Sequence, residues 1–294
     1  MITQELMRDV RRLQIRARRR VNEFFAGEYH AVFRGQGVEF SDVREYQPGD
    51  DVRSIDWNVT ARTGRPHIKR FIEERQLSVM LSVDRSASEG FGAVGKLKSR
   101  LAAEACAVLA LAAARNRDKV GVHMFTERTE LSVPPAVGRA HSLRILRELW
   151  GFEPEGLVAD LPAAADELSR VLSRHTIIVL VSDFLAPADD QLERSLRRLS
   201  RRHDVIALRV SDPRELELPN VGLIDLADPE TGERVSVDTA SRRVRRRFSE
   251  QRTEQRRHMA GLIRGAGCDL VDLSTDRSFA DDLAAYFRQR ERRS

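Results

Sequence analysis

From Leu77 onward the chain alternates short apolar runs with longer amphipathic stretches, and this alternation limits the fold more than any other feature. The runs LSVMLSVD, VGVHMF, TIIVLVSD, DVIALRV and CDLVDLS read as strands, with helical spacing between most of them. Runs of continuous apolar residues are typical of strands covered on both faces, and strands separated by helices pair in parallel. The expected architecture is therefore α/β: a doubly wound, mostly parallel sheet. ELSV at 130–133 is expected to pair antiparallel beside VGVHMF. The turn residues DPETG between two apolar runs make VGLIDLADPETGERVSVDT a hairpin. An Arg-rich helix and a closing helix near Phe279 to Gln289 complete the pattern.

The region before Leu77 follows other rules. Leu6, Val10, Leu13, Ala17, Val21 and Phe24 recur at helical spacing, which predicts an amphipathic helix. From Ala31 to Glu74 short runs, among them VRSIDWNVTA, are broken by Gly35, Gly37, Pro48-Gly49 and Gly64-Arg65-Pro66, which predicts a small strand-rich subdomain. The expected division is 1–76 for these two elements and 77–294 for the sheet domain, with the hairpin and Arg-rich helix inserted at about 216–264. With 41% hydrophobic and 32% charged residues the 294-residue chain is globular rather than disordered. No apolar run reaches the ~18 residues of a membrane span, and the first twenty residues lack a signal-peptide core, so a cytoplasmic location without a transmembrane segment is expected. Cys106 and Cys268 stand far apart without neighbouring ligands, as reduced core thiols do.

In an open parallel sheet the binding crevice lies beyond the carboxyl ends of the strands. Two adjacent strands end there in aspartate, Asp84 and Asp183. Asp84 opens the run Asp84-Arg85-Ser86-Ala87-Ser88, which places one carboxylate and two hydroxyls on a tight loop. These are hard oxygen donors suited to Mg²⁺ or Mn²⁺, and Asp183 would add a second negative charge. A carboxylate at a strand end is expected to face the crevice rather than the core, so replacing Asp183 is expected to spare the fold. The rival reading is a loop whose Ser and Asp only cap the following helix.

This D-x-S-x-S run resembles the metal-ion-dependent adhesion site of von Willebrand factor A domains. Upstream, GVEFSDVREYQPGDDVRSIDWNVTAR, KRFIEERQ and VDRSAS, with SDF at Ser182 to Phe184, resemble the family called domain of unknown function 58. The resemblance covers about residues 27 to 190. It implies an A-type domain behind a strand-rich segment, a divalent ion held by Asp84, Ser86, Ser88 and Asp183, and a protein partner. That partner would be a MoxR-type AAA+ ATPase or its client, met in a chaperone-like, non-enzymatic role. A-type domains add a threonine from a loop before the fourth strand. Here that loop reads Gly156-Leu157-Val158-Ala159-Asp160-Leu161, with Ala159 at the hydroxyl position, and Asp160 is the candidate replacement ligand.

Other features have plainer explanations. Gly90 to Lys96 matches most of a phosphate-binding loop, but Leu97 replaces the hydroxyl residue such a loop needs, and Gly90 lies six positions beyond Asp84. Arg44, Asp50, Asp51, Arg53, Asp56 and Arg62, with Trp57 among them, read as an ion-pair network rather than paired acid-base catalysts. The basic run Ser241 to Arg257 carries Glu250 and Glu254 and an apolar stripe of Val244, Phe248 and Met259, which fits a solvated helix better than a nucleic-acid surface. Two readings from other classes remain beside the interaction module: a Mg²⁺-dependent hydrolase or phosphoryl-transfer enzyme at the same crevice, and a nucleic-acid binder using the Arg-rich ends.

Overall fold

A computed structural model describes residues 43–47, 52, 55, 57–69, 76–93 and 95–292. The helix expected at Leu6 to Phe24 lies outside these residues, as do Asp50, Asp51, Arg53 and Asp56. The described residues fall into two compact units, one within 33–76 and one from Leu77 onward.

In the smaller unit β1 (Val43–Glu45) pairs antiparallel with β2 (His67–Lys69). Between them runs α1 (Trp57–Thr63), where short strand-like runs were expected. Its threonines bond locally. The Thr63 hydroxyl donates to the Val59 carbonyl one turn back, and the Thr60 hydroxyl accepts the backbone N–H of His67, so both threonines serve the helix and its exit.

The larger unit is built on a six-stranded sheet. Its strands are β3 (Ser78–Asp84), β4 (Lys119–Phe125), β5 (Thr129–Ala136), β6 (Ile177–Ser182) and β7 (Asp204–Ser211). A separate antiparallel hairpin, β8 (Leu223–Ala227) with β9 (Arg234–Asp238), precedes the last strand of the sheet, β10 (Asp269–Ser274). The order across the sheet is β10-β7-β6-β3-β4-β5, parallel throughout except for the antiparallel edge strand β5. The β4–β5 register slips between Val120 and Val122, and Gly121 lies at the slip. A Cβ there would fall 2.7 Å from the Val133 carbonyl oxygen, closer than any side chain permits.

Helices cover the sheet: α2 (Lys98–Arg115), α3 (Arg139–Gly151), α4 (Leu161–Val171), α5 (Asp190–Ser200), α6 (Arg242–Gly265) and α7 (Phe279–Glu291). The buried runs of α4 and α5 and the last turns of α6 share one core cluster with Met80, Ile178, Leu180, Val205 and Ala207 from alternate sheet positions. Helix α2 packs with α3 and α7; its run of buried alanines brings backbones close together. On α6 only Met259, Ala260 and Ile263 are buried. Val244 is exposed, so the apolar stripe reaches the core only in the second half of that helix. Both cysteines are free and buried. No helix among the described residues is long and apolar enough to cross a membrane.

Parallel pairing puts the carboxyl ends of β3, β6 and β7 side by side. The chain reverses direction of winding between β3 and its two neighbours β6 and β4, which opens the crevice at that point.

Candidate metal centre at the strand ends

Asp84 is the last residue of β3, and the loop after it bends at once, because the Ser86 N–H donates to Asp84 Oδ1 at 2.8 Å. Asp84 Oδ2 accepts the Ser182 hydroxyl at 2.7 Å, which ties the ends of β3 and β6 together. A short 3-10 turn, Ala87–Gly90, follows and brings Ser88 over the crevice. The Ser88 hydroxyl donates to Asp183 Oδ2 at 2.7 Å and lies 3.2 Å from the Ser86 hydroxyl. Asp183 Oδ1 accepts the Leu185 N–H at 3.0 Å. Between them Phe184 adopts φ 53°, the left-handed region that a bulky L-residue rarely enters. Such strain persists where surrounding contacts hold it, often beside a functional group.

The structure thus brings together four of the five residues singled out in the sequence: Asp84, Ser86, Ser88 and Asp183. All four are buried, Asp183 at 7% exposure, with its carboxylate on the Ser88 hydroxyl and the Lys98 ammonium. The fifth, Asp160, is not in the group. Its side chain accepts the Ala163 N–H at 2.8 Å as the N-cap of α4, using a short carboxylate where a helix start most needs an acceptor. The loop carrying it does touch the site, since the Ala87 N–H donates to the Leu157 carbonyl at 2.8 Å. Ala159 packs partly against the core cluster of α4 and α5.

Three groups at the site were missed. Glu89, one residue past the D-x-S-x-S run, is 2% exposed, and neither of its carboxyl oxygens has a hydrogen-bond partner. Carboxylate oxygens of Asp84, Glu89 and Asp183 all lie within 4.8 Å of one another. Lys98, the first residue of α2, is 0% exposed, and its ammonium donates to Asp183 Oδ2 at 2.7 Å and to Glu215 Oε1 at 2.5 Å. Glu215 itself belongs to the 3-10 turn Pro213–Glu215 after β7, where its other oxygen accepts the Asp212 N–H at 3.0 Å. The available signals were Glu89 itself, adjoining the motif, and a lysine at a helix start, where a cation opposes the helix dipole.

Burial, and then the charge of Asp183, raises the Asp84 carboxyl above its ordinary range. Burial followed by the charges of Asp183 and Asp84 raises Glu89 well above its ordinary range. For Lys98 burial acts downward but is outweighed by Asp183, Glu89 and Glu215, and the ammonium stays charged. Three carboxyl groups, those of Asp183, Glu89 and Glu215, thus act on one cation. The donor set fits a hard divalent ion: two hydroxyls 3.2 Å apart match the edge of about 3 Å between neighbouring oxygens around Mg²⁺, and the unpartnered Glu89 carboxyl is a buried acceptor that lacks a donor.

The glycine loop above the site is engaged with the protein itself. The Ala93 N–H donates to Asp212 Oδ2 at 3.0 Å, and Lys96 pairs with Glu104 at 2.7 Å while lying over the Phe279 ring.

A doubly wound sheet of this order, with one antiparallel edge strand and an acidic, hydroxyl-bearing crevice at its central strand ends, defines a von Willebrand A-like domain. Residues 42–258 match the family model described as protein of unknown function DUF58, and the chain belongs to that family. It is 36% identical over 287 residues to the uncharacterized protein Rv1480 of Mycobacterium tuberculosis strain H37Rv, covering 96% of this chain and 89% of the relative. The uncharacterized protein Mb1516 of Mycobacterium bovis is similar to the same extent. Among solved structures, an aerotolerance-related membrane protein from Bacteroides fragilis superposes with a TM-score of 0.51 at 14% identity, covering 74% of this chain and all of that one. At that identity the likeness is one of fold.

Proposed function

We propose that the protein is a non-enzymatic interaction module that presents a divalent ion, Mg²⁺ or Mn²⁺, to a protein partner at the crevice above β3 and β6. The observation that carries this reading is the convergence of Asp84, Ser86, Ser88 and Asp183 with the unpartnered carboxyl of Glu89. The ion would be held by the two serine hydroxyls and these carboxylates, with water or a partner carboxylate completing its shell. The two hydroxyls engage each other, and that of Ser88 engages Asp183, not a histidine that would activate a nucleophile, which favours binding over hydrolysis or phosphoryl transfer. By family resemblance the partner is a MoxR-type AAA+ ATPase or its client, bound in a chaperone-like role.

The test is capture of partners by the tagged full chain from its native cytoplasm, with Mg²⁺ or with EDTA. The expected result is an AAA+ ATPase or its client retained with Mg²⁺ and lost with EDTA or with Ser86→Ala/Ser88→Ala. Retention that is indifferent to EDTA and to both substitutions refutes a metal-dependent surface. Turnover of a phosphate ester that depends on Mg²⁺ and on Asp84 would favour the enzyme reading instead.

A further inference from the structure

Asp183 Oδ2 already accepts two hydrogen bonds, one from the Ser88 hydroxyl and one from the Lys98 ammonium, both at 2.7 Å. Its other oxygen is taken by the Leu185 N–H. An ion approaching Oδ2, the oxygen on the Ser88 side of the crevice, must therefore displace a donor. The hydroxyl can turn its proton away and offer a lone pair to the ion, whereas the ammonium has no lone pair and is repelled by a second cation at contact range. The ammonium also has somewhere to go, because its second carboxylate, Glu215, lies on a different element from Asp183 and is held in place by the Asp212 N–H.

The location of Lys98 argues in the same direction. A fully buried lysine at the first position of an 18-residue helix lies at the positive end of the helix dipole and far from water. Only the surrounding carboxylates make that placement tolerable. A local rule broken so completely, beside the strained Phe184 backbone, points to a functional site.

We propose that Lys98 is a built-in counter-cation that competes with the divalent ion, so that ion uptake breaks the Lys98–Asp183 contact and leaves Lys98 paired with Glu215 alone. This rests on the metal-site reading and adds to it an exchange between two states of one crevice, lysine-filled and ion-filled. The exchange couples the ion to the start of α2 and to the turn after β7, the two elements that carry the lysine and its remaining carboxylate.

The chain has only four lysines, Lys69, Lys96, Lys98 and Lys119, so lysine-selective ¹³Cε labelling of the wild-type protein resolves the question directly. Titration with Mg²⁺, with occupancy followed in parallel by calorimetry, is expected to move the Lys98 resonance in step with binding while Lys69 and Lys119 stay still. Lys98→Met identifies the resonance and is expected to bind Mg²⁺ and Mn²⁺ at least tenfold more tightly. Saturable Mg²⁺ binding that leaves all four lysine resonances unmoved refutes the exchange even where the variant fails to fold. Equal or weaker ion affinity in folded Lys98→Met refutes it too, and in both cases the metal site stands. Absence of ion binding by both wild type and folded Lys98→Met removes the metal-site reading and the exchange with it. Binding by Lys98→Met alone supports both.

Discussion

Replacing Asp183 with Ala is the sharpest test of how the crevice is held together. The substitution removes the acceptor of the Lys98 ammonium, of the Ser88 hydroxyl and of the Leu185 N–H, at 2.7, 2.7 and 3.0 Å. The side chains of Lys98 and Asp183 are 0% and 5% exposed, so the pair is shielded from water and its loss leaves a buried, partly compensated ammonium. Breaking such a pair from one side costs about 3–5 kcal/mol. Glu215 remains at 2.5 Å from the ammonium, which places this case at the lower end, at about 3 kcal/mol. For a unit of this size that corresponds to a melting temperature lower by about 6–12 °C. This differs from the sequence reading, in which a strand-end aspartate can be removed without harm to the fold. The assay is urea and thermal unfolding followed by circular dichroism in EDTA, with wild type, Asp183→Ala, Lys98→Met and the double variant. Removing the ammonium as well should recover at least about 1.5 kcal/mol relative to the sum of the single effects. A single variant within about 0.5 kcal/mol of wild type, or effects that simply add, would refute the claim that these two residues support each other.

Three further outcomes are expected. Burial and the neighbouring charges raise Glu89 in the folded state above its ordinary 4.5, so its contribution is fully present below pH 4.5 and is lost as pH rises through the raised folded value. Glu89→Gln should therefore gain stability over wild type on going from pH 4.5 to pH 8 in EDTA while binding Mg²⁺ more weakly; a pH-independent difference in melting temperature counts against this. His123, buried between the hydroxyls of Ser82 and Thr129, is lowered from 6.5 to about 4 by burial, so its stabilisation is complete above pH 6.5 and is lost as pH falls towards 4. The loss amounts to about 3 kcal/mol, and His123→Gln should flatten that limb of the stability profile; an unchanged acid limb would show that the imidazole does not resist protonation. ATP should neither bind nor be hydrolysed, because the glycine loop and Lys96 already meet Asp212, Glu104 and Phe279; turnover abolished by Lys96→Ala is the contrary result.

The sheet and the first half of the site were legible because both depend on local pattern. Continuous apolar runs specify strands covered on two faces, and the residues that end such strands must lie at one edge, so Asp84, Ser86, Ser88 and Asp183 could be placed together before any coordinates. The hairpin of β8 and β9 followed from its turn residues in the same way. Short segments were less legible: Trp57–Thr63 is helical although its composition is strand-like, and its two threonine hydroxyls bond backbone groups nearby. The loop at Asp160 shows the same limit, since one carboxylate suited both a ligand and a helix cap, and the cap won.

Only the tertiary structure decided the charge balance of the crevice. Glu89, Lys98 and Glu215 are separated by up to 126 positions and carry side chains that composition assigns to the surface. Whether such a group is buried depends on which opposite charge reaches it, and that is settled by the order of β3, β6 and β7 and by where α2 begins. The sequence by itself therefore determined the sheet, the crevice and the oxygen donors. The fold determined that a lysine stands among those donors, because only packing can make a buried ammonium and the carboxyl groups of Asp183, Glu89 and Glu215 neighbours.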